Sequence, residues 1–212
     1  MRWIRVDRKR RIPPGKGTYS DWKEQIANEC DSQCVYCALH ERQFGGRRYA
    51  HIDHFRPKSR AEFEKLRNEI QNLYFACAVC NCFKSDDWPA EPKDDHSVDA
   101  FIDPSDFDFN EIFTVAAGTY EVSSAYRAGA YVVEKLFLNR PHLLTERRLH
   151  EVLRNMDARL AELEKAIMPL FRFGPEAESL MDELVNSLTN LRESAKVLKE
   201  SVVYHVEDQK RN

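Results

Sequence analysis

Two Cys-x2-Cys pairs, Cys34/Cys37 in "CVYC" and Cys77/Cys80 in "CAVC", stand 39 residues apart and constrain the fold more than any other feature of this 212-residue chain. Each pair can present two thiolates to one ion, and two pairs complete the tetrahedral four-thiolate shell that zinc favours in structural sites. Such a shell is closed, so the ion predicted here holds structure and carries out no chemistry. All six cysteines (Cys30, Cys34, Cys37, Cys77, Cys80, Cys82) lie in the first 82 residues in two tight groups, which in a reducing compartment suits a metal better than disulfides.

The rest of the chain bounds what that site can serve. The N-terminal "MRWIRVDRKRRIPP" is basic but lacks the apolar run of a signal peptide, and no apolar stretch approaches the about 20 residues of a membrane span, so a cytoplasmic protein without a membrane partner is expected. Residues 1–84 carry 17 Lys/Arg against 10 Asp/Glu, whereas residues 85–212 carry 15 against 25. A basic front can meet a polyanion, while the acidic stretch "SDDWPAEPKDDHSVDAFIDPSDFDFNE" reads either as a solvated linker or as an electrostatic guide.

Local patterns set the order of elements. "SDWKEQIANEC" reads as a short helix capped by Ser20, with Trp22, Ile26 and Cys30 on one core-facing stripe. "RRYAHIDHF" has strand character and ends at Arg56-Pro57; "SRAEFEKLRNEIQ" reads as a helical insert, "NLYFAC" as a second strand, and "CNCFKSDD" as the opening of a helix. From about Ser123 the pattern turns helical. "AYRAGAYVVEKLFL" breaks near Pro141, a longer helix carries Leu149, Val152, Leu153, Met156, Leu160, Leu163 and Ile167, and a last one carries Leu180, Leu184, Leu188, Leu191, Leu198 and Val202. Two long amphipathic helices of this kind predict a hairpin whose stripes pack as core or receive a partner. The expected divisions are a basic segment and short helix over 1–30, a metal-pinned core over 31–90, an acidic linker over 91–122 and a helical region over 123–212.

Beside the cysteine pairs lies "HIDHFRPKS". Asp53 supplies a hard carboxylate of the type magnesium or manganese prefers, and His54 titrates near neutrality. Asn72 opens the second strand and Asn81 directly follows the second cysteine pair. If zinc pins the strands and helix together, these four side chains can converge on one cleft, a set suited to metal-assisted phosphodiester hydrolysis. His51, two before Asp53, would share its strand face and assist there; Arg56, Lys58 and Lys84 stand where phosphates would approach. His96, His142, His150 and His205 fall outside the constellation as surface or packing residues, and Cys82 reads as a buried thiol.

"IDHFRP" followed by "NLYFACAVCNCFK" resembles the Asp-His…Asn…Cys-x2-Cys-Asn-x2-Lys signature of HNH endonucleases, over about residues 34–86. The resemblance implies an α+β protein with a zinc-stabilised ββα-metal core. It also implies His54 as general base, Asp53 and Asn81 as ligands of a catalytic magnesium or manganese ion, and Asn72 as the residue orienting the histidine and its loop. Asn81 stands where many members carry histidine. More widely, "MRWIRVDRKRRIPP", "HFRPKS", "FIDPSDFD" and "VEKLFLNRPHLLTERR" resemble the HNH subunits of Septu-type and retron-associated anti-phage systems. That implies an ATPase of the SMC/ABC-like class as partner of the C-terminal helices; the substrate expected is nucleic acid, DNA ahead of RNA.

Two other readings compete with a nuclease. A zinc-ribbon module could bind nucleic acid or protein without catalysis. The longer string "CDSQCVYC" also resembles the Cys-x3-Cys-x2-Cys cluster motif of radical-SAM enzymes. The latter leaves Cys77 and Cys80 unexplained and needs alternating strands and helices that the 175 residues after Cys37 do not offer.

Overall fold

The computed structural model describes residues 2–7, 11, 16–167 and 175–202, with the side chains of 157, 175–181 and 198–202 set aside. Two units divide the chain, Met1–Thr145 and Glu146–Asn212. At the centre of the first lie two antiparallel strands, β1 (Ala50–His54) and β2 (Leu73–Cys77), followed directly by helix α2 (Ala78–Lys84). Their register pairs Ala50 with Cys77, Ile52 with Phe75 and His54 with Leu73. Strand–strand–helix is therefore the order that positions everything below.

The sequence explains these elements locally. Every residue of β2 is buried, and a continuous apolar and aromatic run is what a strand covered on both faces requires. Helix α2 begins earlier than expected, between Cys77 and Cys80, because the Cys77 sulfur accepts from the Cys80 amide and caps it. The short helix α1 (Lys23–Asn28) forms as predicted, but not by Ser20 capping: Trp22 occupies the cap position, and the Asp21 carboxylate instead accepts from the Thr18 amide. Trp22, Ile26 and Cys30 are all buried, as their spacing predicts. Between the strands, the expected helical insert becomes two 3-10 pieces, Ala61–Leu66 and Ile70–Asn72, with Phe63 and Ile70 buried.

The acidic segment is not a linker. Phe101, Ile102, Phe109, Ile112 and Phe113 all join the buried cluster that also contains Trp3, Tyr36, Phe55 and Phe75. Asp103 is buried too, accepting from the Tyr74 hydroxyl and from the amide and hydroxyl of Ser105. Helix α3 (Phe109–Ile112), the small hairpin of β3 (Thr114–Val115) and β4 (Val122–Ser123), and helix α4 (Arg127–Lys135) complete this unit. The N-terminal segment belongs to the same core, since Trp3 and Val6 are buried and Arg11 pairs with Glu29 at 2.8 Å. Apolar spacing in both segments was masked by their charge, and it is the apolar residues that decide their burial.

Two long helices, α5 (Pro141–Ile167) and α6 (Pro175–Val202), make up most of the rest. Leu153, Leu160 and Ala195 are buried and Arg192 pairs with Glu164, but Val152, Leu163, Leu184 and Leu191 are exposed. The apolar stripes read as core are thus only partly covered; Leu180, Leu198 and Val202 lie outside the described side chains. Among the described residues no helix is long and apolar enough to cross a membrane.

Candidate active site

The four sulfurs of Cys34, Cys37, Cys77 and Cys80 lie within 4.8 Å of one another, and all four residues are buried. A tetrahedral ion with metal–sulfur bonds of 2.3 Å needs sulfurs about 3.8 Å apart, and Cys37 and Cys77 stand at 3.9 Å. The donor set therefore fits zinc. Burial pushes the Cys34 thiol well up, whereas its neighbours' hydrogen bonds pull Cys77 well down. A divalent cation is what allows four to ionise together. Arg140 donates to the Cys80 sulfur at 3.6 Å and to the Leu136 carbonyl at 3.0 Å, placing a cation beside a cluster that becomes anionic with zinc bound. Sequence reading missed Arg140, 60 residues downstream, because only the turn after α4 brings it back. Cys30 stays outside the cluster: its thiol donates to backbone carbonyls, and burial pushes it up to about 12. Cys82, expected to be buried, is exposed.

The Cys34–Cys37 turn also reaches the second group of residues. Tyr36, fully buried, donates its hydroxyl to Asp53 Oδ2, and Lys84, also fully buried, places its ammonium 3.1 Å from Asp53 Oδ1 and 2.8 Å from the His54 carbonyl. Lys84 is thus no phosphate contact. Seven residues of helix bring it to the inner end of α2, where it offsets the charge of a carboxylate that is itself 3% exposed. Breaking such a buried pair from one side leaves an uncompensated charge, typically about 3–5 kcal/mol.

His54 is 6% exposed and its Nε2 lies 2.9 Å from the Arg67 carbonyl. A carbonyl only accepts, so Nε2 carries the hydrogen and Nδ1 keeps a free lone pair. Burial, the largest influence on this imidazole, lowers its proton affinity below the ordinary value. The edge of Tyr19 packs on the ring at 4.7 Å, and the Tyr19 hydroxyl accepts from Lys58 at 2.7 Å. Tyr19 was not anticipated, since nothing local in "GTYSDW" marks it.

Asn72 serves the loop rather than the cleft. Its Oδ1 accepts from the Arg56 amide at 2.8 Å while its Nδ2 donates to the Arg56 carbonyl at 3.0 Å, a two-point clasp on the backbone two residues past His54. Asn72→Ala should leave both backbone groups unpaired, costing about 1–3 kcal/mol, and should free the loop that carries Arg67. A drop in melting temperature accompanied by loss of the His54 imidazole's slow-exchanging Nε2 proton in NMR is the expected result; an unchanged proton signal would remove the clasp from the account.

Asp53, His54 and Asn81 line one open cleft of about 350 Å³ together with Lys58, Ser59, Ser85 and Asp86. Asn81 Nδ2 donates to His51 Nδ1 at 3.1 Å, which turns the Asn81 carbonyl oxygen away from His51. A carboxylate has roughly four lone-pair positions and Tyr36 and Lys84 occupy two, so Asp53 and Asn81 retain hard oxygen donors of the kind magnesium binds. Asp86 adds a second carboxylate that the sequence reading had placed in the acidic stretch. Arg56 points elsewhere, pairing with Glu91 at 3.0 Å.

Residues 34–87 match the family model for HNH endonuclease, beginning at the first knuckle cysteine and ending three residues past Lys84. This part of the chain is therefore similar to an HNH endonuclease domain, in agreement with its strand–strand–helix order and four-cysteine cluster. No curated protein and no solved structure matches the chain.

Proposed function

We propose that this protein is a metal-dependent HNH endonuclease that hydrolyses phosphodiester bonds, and that its substrate is DNA. The observation that carries the reading is the shared cleft: an imidazole with its free nitrogen fixed by the Arg67 carbonyl, next to two oxygen donors that suit a hard cation. His54 Nδ1 takes a proton from water, and the resulting hydroxide attacks phosphorus as the bond to the leaving oxygen breaks. Asp53 and Asn81 would hold a divalent cation, which would supply neutralisation of the charge that develops on the phosphodiester. Lys58, with donors to spare beyond Tyr19, contacts a substrate phosphate.

Activity should follow the protonation of His54. Protonation fills Nδ1, and burial sets that event below the ordinary 6.5. The acidic limb of kcat/KM therefore falls below pH 6.5 and the rate is level across neutral pH; an acidic limb centred at 7 or above would contradict this assignment. The same sign applies to stability. The unfolded chain binds this proton first, so the histidine's contribution to stability is present above 6.5 and is lost as pH falls through the folded-state value.

Nicking of plasmid DNA with magnesium or manganese, compared between the native chain and His54→Ala, tests the reading against a zinc-ribbon module that binds without cutting. The wider resemblance supports an effector role in an anti-phage complex with an SMC/ABC-like ATPase. The exposed Leu163, Leu184 and Leu191 of the helical unit supply apolar surface for such a partner. Co-purification with the product of the neighbouring gene, then cleavage with and without ATP, checks that part. An effector whose activity depends on its partner would cut only in the complex.

A further inference from the structure

A zinc knuckle does not require a tyrosine between its cysteines, yet Tyr36 stands between Cys34 and Cys37 with its phenol wholly buried. Burying a hydroxyl costs free energy unless it is bonded, and this one bonds to Asp53 Oδ2, 17 residues away on β1. The backbone around it is held on several sides. Val35 donates to the Phe75 carbonyl of β2 at 3.0 Å, Trp3 Nε1 donates to the Tyr36 carbonyl at 2.8 Å, and the flanking cysteines both belong to the four-sulfur cluster. The hydroxyl therefore has little freedom to follow Asp53 if the carboxylate turns.

We propose that Tyr36 is a positioning residue for Asp53, so that the structural four-cysteine site sets the geometry of the catalytic cation site through one hydroxyl. This deepens the nuclease reading and rests on its assignment of Asp53 as a cation ligand. The physical need comes from Lys84. Its ammonium has three hydrogens and sits on Asp53 Oδ1. With Oδ2 released, the carboxylate can rotate until both oxygens face the ammonium, closing an ion pair that competes with the cation for the same lone pairs. The Tyr36 hydroxyl holds Oδ2 away from that arrangement and leaves the remaining lone pairs in the cleft that Asn81 shares. It thus links the two metal sites, which share no ligand.

Tyr36→Phe removes the hydroxyl and keeps the ring that fills the core. Four proteins are compared: the full-length chain, Tyr36→Phe, Asp53→Ala and the double variant. Zinc content is read by metal analysis, and manganese affinity by calorimetry without nucleic acid. The expected result is unchanged zinc and a cooperative melt for Tyr36→Phe, with manganese bound roughly tenfold more weakly, the scale typical of residues that orient metal ligands. Adding Tyr36→Phe to Asp53→Ala should then have no further effect. Equal manganese affinity in the native chain and Tyr36→Phe overturns the proposal and leaves the nuclease reading intact. Equal affinity in the native chain and Asp53→Ala removes Asp53 from the cation site, and both fall. Loss of zinc or of the melt in Tyr36→Phe also overturns it, because the hydroxyl would then serve the knuckle itself.

Discussion

His54→Ala is expected to reduce cleavage of plasmid DNA by roughly 10²–10⁴-fold, the range a positioned general base supplies, with zinc content unchanged. The expectation rests on how tightly this one imidazole is specified. Its Nε2 is committed to the Arg67 carbonyl, its ring is wedged by Tyr19, and the backbone just past it is clasped by Asn72. Nδ1 is therefore delivered as an acceptor at one place in the cleft. Among the described residues no other histidine lines that cleft; His51, the nearest in sequence, is exposed and already accepts from Asn81. Some stability will be lost, because the Arg67 carbonyl gives up its donor, but that is a cost of about 1–3 kcal/mol and leaves most of the protein folded. Undiminished nicking by a folded His54→Ala protein would place the chemistry elsewhere.

Loss of the four-cysteine site has the larger structural effect. Cys80→Ser is expected to abolish cooperative folding of residues 34–87, seen as loss of the near-ultraviolet circular dichroism of its buried aromatics and of bound zinc. A structural zinc contributes about 10–16 kcal/mol in small zinc domains, as much as the entire stability of a typical domain, about 5–15 kcal/mol. Cys80 is also where the loss spreads furthest. Its sulfur takes the Arg140 guanidinium and its amide caps α2 on Cys77, and α2 in turn carries Asn81 and Lys84. Added zinc should restore the native chain after chelation and should not restore the variant. Magnesium should restore neither, because a hard cation has little affinity for thiolates. A Cys80→Ser protein with a native melt and full zinc would exclude Cys80 as a ligand.

Much of this site is legible in the sequence. Cysteine spacing identified four of the six thiols as a set, and a strand ending in Asp53-His54 opposite a strand ending at the second knuckle follows from short apolar runs bounded by Pro57 and Cys77. What local pattern could not show was direction. Lys84 looked like a phosphate contact because lysines are almost always at the surface; its place at the inner end of a seven-residue helix put it against Asp53 instead. The segment around Phe101–Phe113 looked like a linker because its aspartates dominate its composition, while its aromatics were too irregularly spaced to read as one face. Spacing alone sent both Asn72 and Asn81 to one cleft, yet the Asn72 side chain clasps the Arg56 backbone and only Asn81 lines the cleft.

By itself, then, the sequence determined which residue types could do chemistry here and which ion could hold them, because thiolates, imidazole and carboxylate have fixed coordination and protonation preferences wherever they occur. Only the tertiary structure decided how each was used. The free nitrogen of His54 depends on a carbonyl 13 residues away, and the state of Asp53 depends on Tyr36 and Lys84 arriving from 17 and 31 residues on either side. Hydrogen bonds and buried charge act over a few ångströms, and which groups come that close is set by the packing of β1, β2, α2 and the cysteine knuckle.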